Sequence, residues 1–155
     1  MRKLILLLLA AACPLAAIEY NVTYDVTSGT SNVITIQQPA TGARTVQGKF
    51  VEVYCSVTCD VEVERDGTAA TGTEATIVAV NRNAVNTTPK FKAYHTSNVG
   101  EGTTLYLRPV PTGGSIVLGM ESIFLTGNGT AKNWTIRVTA GSSGRLTINL
   151  KVDEY

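Results

Sequence analysis

The sequence predicts an all-β protein, a single antiparallel β-sandwich or jelly-roll-like domain of about nine strands behind an N-terminal leader. Three observations predict it. Apolar and polar residues alternate over several segments, most clearly from Lys49 to Glu64, where valines and cysteines hold every odd position from Val51 to Val63. A period of two is the mark of a half-buried strand. The body of the chain is rich in Thr, Val, Gly and Asn, which suit a pleated surface and the tight turns between strands. No stretch after residue 18 keeps an apolar 3.6-residue period for three turns, so helix is expected to be nearly absent.

The leader is read first. Arg2 and Lys3 open the chain, an apolar run follows from Leu4 to Ala12, and Leu15-Ala16-Ala17 precedes the first acid, Glu19. A basic start, a greasy middle and a small-residue exit are the order of a secretory signal peptide, and cleavage is expected after Ala17. A transmembrane anchor is the rival, but a spanning helix needs about 20 apolar residues. Pro14 and Glu19 interrupt this run too early. Cys13, directly behind Ala10-Ala11-Ala12, supports an alternative in which the thiol is lipidated and becomes the N-terminus of a lipoprotein. Ala10 stands where that pattern prefers Leu or Val, and Pro14 behind the cysteine is atypical.

Removing residues 1–17 from the 155 leaves 138, enough for one domain with a real core (18–155). The thirteen basic residues fall to eleven against twelve acidic ones, a net charge of −1. A nucleic-acid binder needs a basic stripe to neutralise phosphates, and the chain has none, so nucleic acid is not an expected partner. No block of like charge points to an anionic membrane either.

Strands are expected at 20–26, Val33–Gln38 and Lys49–Glu64, then at Ala75–Val80, Phe91–His95, Thr103–Arg108, Ser115–Phe124, Trp134–Thr139 and Arg145–Val152. A polar joint, Thr27 to Ser31, separates the first two. The Lys49–Glu64 segment is too long for one strand, since five or six residues is usual, about a third of its length. It is expected to break near Ser56–Thr58 into two antiparallel strands. Asp66-Gly67, Gly113-Gly114, Gly127-Asn128-Gly129 and Gly141–Gly144 supply turn chemistry.

Several short motifs carry a resemblance. They are Ile34-Thr35-Ile36-Gln37-Gln38-Pro39, Val53-Tyr54-Cys55-Ser56-Val57-Thr58-Cys59, Asn81-Arg82-Asn83, Gly113-Gly114 and the closing Lys151-Val152-Asp153-Glu154-Tyr155. On these the chain resembles uncharacterised bacterial exported β-sandwich proteins, and jelly-roll-like appendage or decoration proteins of tailed phages. The resemblance implies a module for assembly or attachment, with no catalytic residues to carry over. A signal peptide departs from the phage pattern and favours a secreted or cell-surface role.

Catalytic and metal chemistry find little support. His95 is the only histidine, and one histidine cannot build a multi-histidine metal site. It is read as a plain structural or surface residue. Asp60, Glu62, Glu64 and Asp66 share one strand face at about 7 Å spacing. Calcium needs six to eight converging oxygens, so they are read as a solvated face that also discourages unwanted edge pairing. No cofactor is expected. Trp134, Tyr54, Tyr94 and Tyr106 could form a sugar-stacking platform, although a lone Trp in an alternating strand is more often core. The sequons at Asn21, Asn86, Asn128 and Asn133 are assigned no role.

Two structural expectations follow. Cys55 and Cys59 are expected to form a disulfide, because exported proteins mature in an oxidising compartment. On one straight strand their Cα atoms would sit about 13 Å apart, beyond the roughly 7 Å limit, so the chain is expected to reverse at Ser56-Val57-Thr58. The strand carrying Tyr20, Val22, Tyr24 and Val26 is expected either to be donated to a neighbouring molecule or to fold onto its own sheet. The function expected is that of a non-catalytic, exported structural or assembly protein, self-associating or decorating a cell or particle surface. A carbohydrate- or host-surface-binding module is the alternative.

Overall fold

The computed structural model describes residues 17–38, 45–65, 72–80, 88–95, 102–121, 123–126 and 132–155. They form ten strands and no helix. In chain order these are β1 (Ile18–Gln38), β2 (Thr45–Cys55), β3 (Cys59–Arg65), β4 (Thr73–Glu74), β5 (Ile77–Ala79), β6 (Lys92–His95), β7 (Thr103–Val110), β8 (Gly114–Gly119), β9 (Phe124–Thr126) and β10 (Lys132–Glu154). Every pairing is antiparallel.

The two ends of the chain build the centre. β1 and β10 pair from Ile18↔Glu154 to Gln38↔Lys132, with register shifts between Val26 and Gly29 and between Gly29 and Ser31. A straight strand of 21 residues would reach about 70 Å. Such bulges bend the chain, and bent strands can pass from one sheet to another at a corner.

The corner divides the sheet into two layers. The first holds β5, the first half of β1, the second half of β10, β2, and β8 with β9. The second holds β4, β6, the second half of β1, the first half of β10, β3 and β7. The neighbouring segments cross at the same level. Cys55 lies opposite Leu146 and Gly114, and Cys59 opposite Ala140 and Val110. β2 and β3 therefore run one way along β10, and β7 and β8 run back along them. Gly113, with φ +69°, takes a left-handed turn at the corner that a side chain would disfavour. The Ser28 and Ser143 hydroxyls hydrogen-bond there at 2.9 Å.

Between the layers lies one apolar core. Val22, Ile34, Ile36, Val51, Val61, Trp134, Ile136 and Ile148 are all fully buried. Tyr20 of the first layer meets Phe91 of the second edge-on at 5.5 Å, and Tyr24 stacks on His95 at 3.9 Å. These contacts between rings hold the two layers face to face.

Several expectations are corrected. The chain does not reverse at Ser56–Thr58: β2 and β3 share a direction, and a bend alone brings the Cα atoms of Cys55 and Cys59 to 6.3 Å. A period-two pattern reads the same through a corner as through a hairpin. Thr27–Ser31 is part of β1, and Gly141–Gly144 is a bend inside β10, because both cross the corner as paired strands. Ser115–Phe124 is divided into β8 and β9 at a kink against Gly48. There the Met120 N–H donates to the Lys49 carbonyl and the Gly48 N–H to the Ile123 carbonyl. A Cβ on Gly48 would lie 2.6 Å from that of Met120, so only glycine fits. The strand of Tyr20, Val22, Tyr24 and Val26 folds onto its own sheet, paired to β10 on one side and to β5 on the other. Its Tyr20 and Val22 are buried in the core of the same chain.

Residues 1–16, including the expected leader and Cys13, lie outside the described residues, as do Asp66, Asn86 and Asn128. Among the described residues no helix is long and apolar enough to cross a membrane.

Candidate interaction surface

The singled-out residues scatter. Cys55 and Cys59 form a disulfide at the corner. Trp134 is fully buried in the core and cannot stack on a sugar. Tyr94 and Tyr106 are half-buried on the second layer, Tyr94 opposite Thr35 on β6 and Tyr106 opposite Val63 on β7. Only Tyr54, 38% exposed, faces outward on the first layer. Asn133 is buried, so its sequon is not available to a glycan in the folded chain.

The acidic face also resolves differently. Asp60 is exposed, Glu62 half-buried and accepting from the Thr104 hydroxyl, and Glu64 buried. Glu64 accepts from the Arg137 guanidinium and from the Gly102 N–H, each at 3.4 Å. These acids do not guard an edge, because β3 lies between β10 and β7. The spacing that put them on one face could not say whether the strand was outermost. Among the described residues no three His, Cys, Asp or Glu side chains gather to hold a metal ion.

The outward face of the first layer offers a surface. Register aligns Val117, Glu52, Asn149 and Thr23 in one row across β8, β2, β10 and β1. Ser115, Tyr54, Thr147 and Asp25 make the next. Thr23 donates to Asn149 at 3.0 Å. Arg145 grips Asp25 with two nitrogens, Nε to Oδ1 at 3.0 Å and Nη2 to Oδ2 at 2.9 Å, and the Thr147 hydroxyl donates to the same carboxylate at 2.6 Å. These hydrogen bonds, Arg145 first, hold the Asp25 carboxyl below the usual carboxylate value, and Asp25 in turn raises Arg145. Thr23, Glu52, Tyr54, Arg145, Thr147 and Asn149 line a shallow depression of about 360 Å³.

This face ends on β8, which pairs with β2 and with no other strand among the described residues. The Met120 N–H points to β2, and in an antiparallel ladder that direction alternates. Ser115, Val117 and Gly119 therefore turn their N–H and C=O groups away from β2, toward the open edge. Gly114–Gly119 contains no charge and no proline, and the Val117 side chain is 61% exposed. β7, the other half of the same bent edge, carries Arg108 and Pro109. Charge and proline are what blunt an edge strand, and β8 has neither.

No protein-family model matches this chain, and no curated protein matches it. The sequence placed the β8 residues from Ser115 onward in the expected strand Ser115–Phe124 and carried no sign of its edge position. The legible signal was a six-residue segment free of charge; its edge position was not legible.

Proposed function

We propose that this is an exported, non-catalytic structural protein that self-associates at a cell or particle surface through the open edge of its first layer. The observation carrying this reading is β8, whose outward backbone groups have no strand beside them among the described residues and whose side chains bear no charge. Such an edge is a template for adding a strand from another molecule. Export rests on the leader, and N-terminal sequencing of protein recovered from expressing cells tests it; Glu19 or Ile18 near the first cycle supports cleavage.

Sedimentation of the recovered protein over a range of concentrations tests assembly. A sedimentation coefficient rising with concentration is expected; one independent of it overturns the reading.

A second reading, a carbohydrate-binding module, is favoured by Tyr54. Its ring is exposed on a flat face beside Glu52, Asn149 and Arg145, which supply acceptors and donors for hydroxyls. Pull-down on insoluble polysaccharides separates the two: retention that is lost in Tyr54→Ala supports binding, and no retention removes it.

A further inference from the structure

We infer that two copies of this chain join β8 to β8 about a two-fold axis through Val117, making their first layers one continuous sheet. The inference rests on the self-association reading and adds the partner, a second copy, and the register.

Three constraints select that register. In an antiparallel pair, residues directly opposite share a face and exchange both hydrogen bonds at every second position. The residues of β8 with outward N–H and C=O groups are Ser115, Val117 and Gly119. An axis at Val117 sets Val117 against itself and Ser115 against Gly119 on both sides. All three outward residues are then used, for about six hydrogen bonds. Moving the axis by one residue, to Ile116 or Leu118, keeps the faces matched but pairs only two of the three within the strand. Moving the register by a single residue sets inward side chains against outward ones.

The side chains agree with the same axis. On the outer face the exposed Val117 meets its own copy. On the inner face Ile116 lies against Leu118, so the apolar core face continues across the join. At each end Gly119 offers no side chain, and the position its Cβ would take lies 2.7 Å from Glu121 Oε2. The copy's Ser115 comes opposite that glycine, bringing a hydroxyl donor toward a carboxylate acceptor. No charge on one β8 meets a like charge on the other, since the strand has none. β5 and β9, the other open segments of the first layer among the described residues, are each three residues long and can form fewer bonds. About six hydrogen bonds is at the small end for a specific interface, where about ten is usual, so the dimer is expected to form and dissociate with concentration.

Cysteine cross-linking tests the axis. The full chain is expressed with Cys13→Ser, and Val117→Cys, Ser115→Cys or Val78→Cys is added singly. The recovered proteins are air-oxidised and run without reductant, while the unsubstituted protein is sedimented in parallel. Opposed Cα atoms of a hydrogen-bonded pair lie about 5.5 Å apart, within disulfide reach. Copies of position 115 would lie about 13 Å apart, beyond it. A covalent dimer from Val117→Cys, with none from Ser115→Cys or Val78→Cys, is the expected result. If the unsubstituted protein assembles but Val117→Cys gives no dimer, or another position cross-links in its place, the axis is wrong while self-association stands. If the unsubstituted protein stays monomeric throughout, both fall.

Discussion

Two carboxylate–arginine pairs sit on the outer faces of the molecule, their arginines eight residues apart along β10, and they differ in geometry and in exposure. Arg145 and Asp25, on the first layer, make a forked contact at 2.9 and 3.0 Å, with side chains 58% and 30% exposed. Arg137 and Glu64, on the second, meet at 3.4 Å, with side chains 28% and 4% exposed. The better-shaped pair stands in water, where an ion pair contributes little; the looser one includes a carboxylate that has lost its hydration. The contrast extends to the whole faces. Thr35 and Thr135, joined by a 3.0 Å hydroxyl bond on the second layer, are buried, whereas Tyr54, Arg145 and Val117 on the first are open. One bent strand thus supplies a closed face and an open one. Structural cost should follow substitution of the closed face, and interaction should follow the open one.

The largest expected effect is on the closed face. Glu64→Ala leaves the Arg137 guanidinium and the Gly102 N–H short of an acceptor, and should lower unfolding free energy by about 2–3 kcal/mol. Urea denaturation reads this directly, and a loss no larger than that of Arg145→Ala would break the comparison.

The corner joining the two layers comes next. Replacing Cys55 and Cys59 together by Ala removes the constraint on a short loop, worth about 2 kcal/mol by chain entropy. The corner is paired on both sides by β10 and by β7–β8, so the fold should survive. Unchanged midpoints with and without reductant in the parent protein would show that no such bond constrains it.

Arg145→Ala on the open face should cost little stability, because the ion pair it removes stands in water. Its signature is in titration. The Asp25 carboxyl is held low by Arg145 and Thr147, so its share of stability is present above the unfolded carboxylate value of about 3.9. That share is lost as pH falls through the lower folded value. Carbon NMR of the Asp25 carboxyl should give a midpoint below the ordinary carboxylate value in the parent, moving up toward it in Arg145→Ala. A parent midpoint at or above the ordinary value contradicts the pairing.

The smallest effect on stability should accompany the largest on assembly. Val117→Lys places a charge on an exposed side chain, and should change unfolding free energy by no more than about 0.5 kcal/mol. It should nevertheless abolish the concentration-dependent species in sedimentation. Leu107→Lys, equally exposed at 56% but on the edge strand that already holds Arg108 and Pro109, should leave assembly unchanged. Equal behaviour of the two would mean that β8 is no special edge.

How far the sequence reaches is visible in particular residues. Alternation from Val51 to Val63 determined which side chains are buried, because side chains on a strand point to opposite faces whatever the strand pairs with. Val51, Val53, Val61 and Val63 are all fully buried. The all-β class followed from the same pattern and from turn residues, and the Cys55–Cys59 pairing was expected from the oxidising compartment that a leader implies. Tertiary structure alone decided what lies beside each strand. It made Thr27–Ser31 a corner of β1 where a flexible joint was expected, and turned the supposed reversal at Ser56–Thr58 into a bend. It paired the first strand with the last, so Tyr20 and Val22 fill their own core. It buried Glu64 while leaving Asp60 exposed on the same strand face, and it left β8 outermost. Local spacing encodes the direction of a side chain; neighbours come from residues more than a hundred positions away, as Ile18 and Glu154 are, and no local pattern records them.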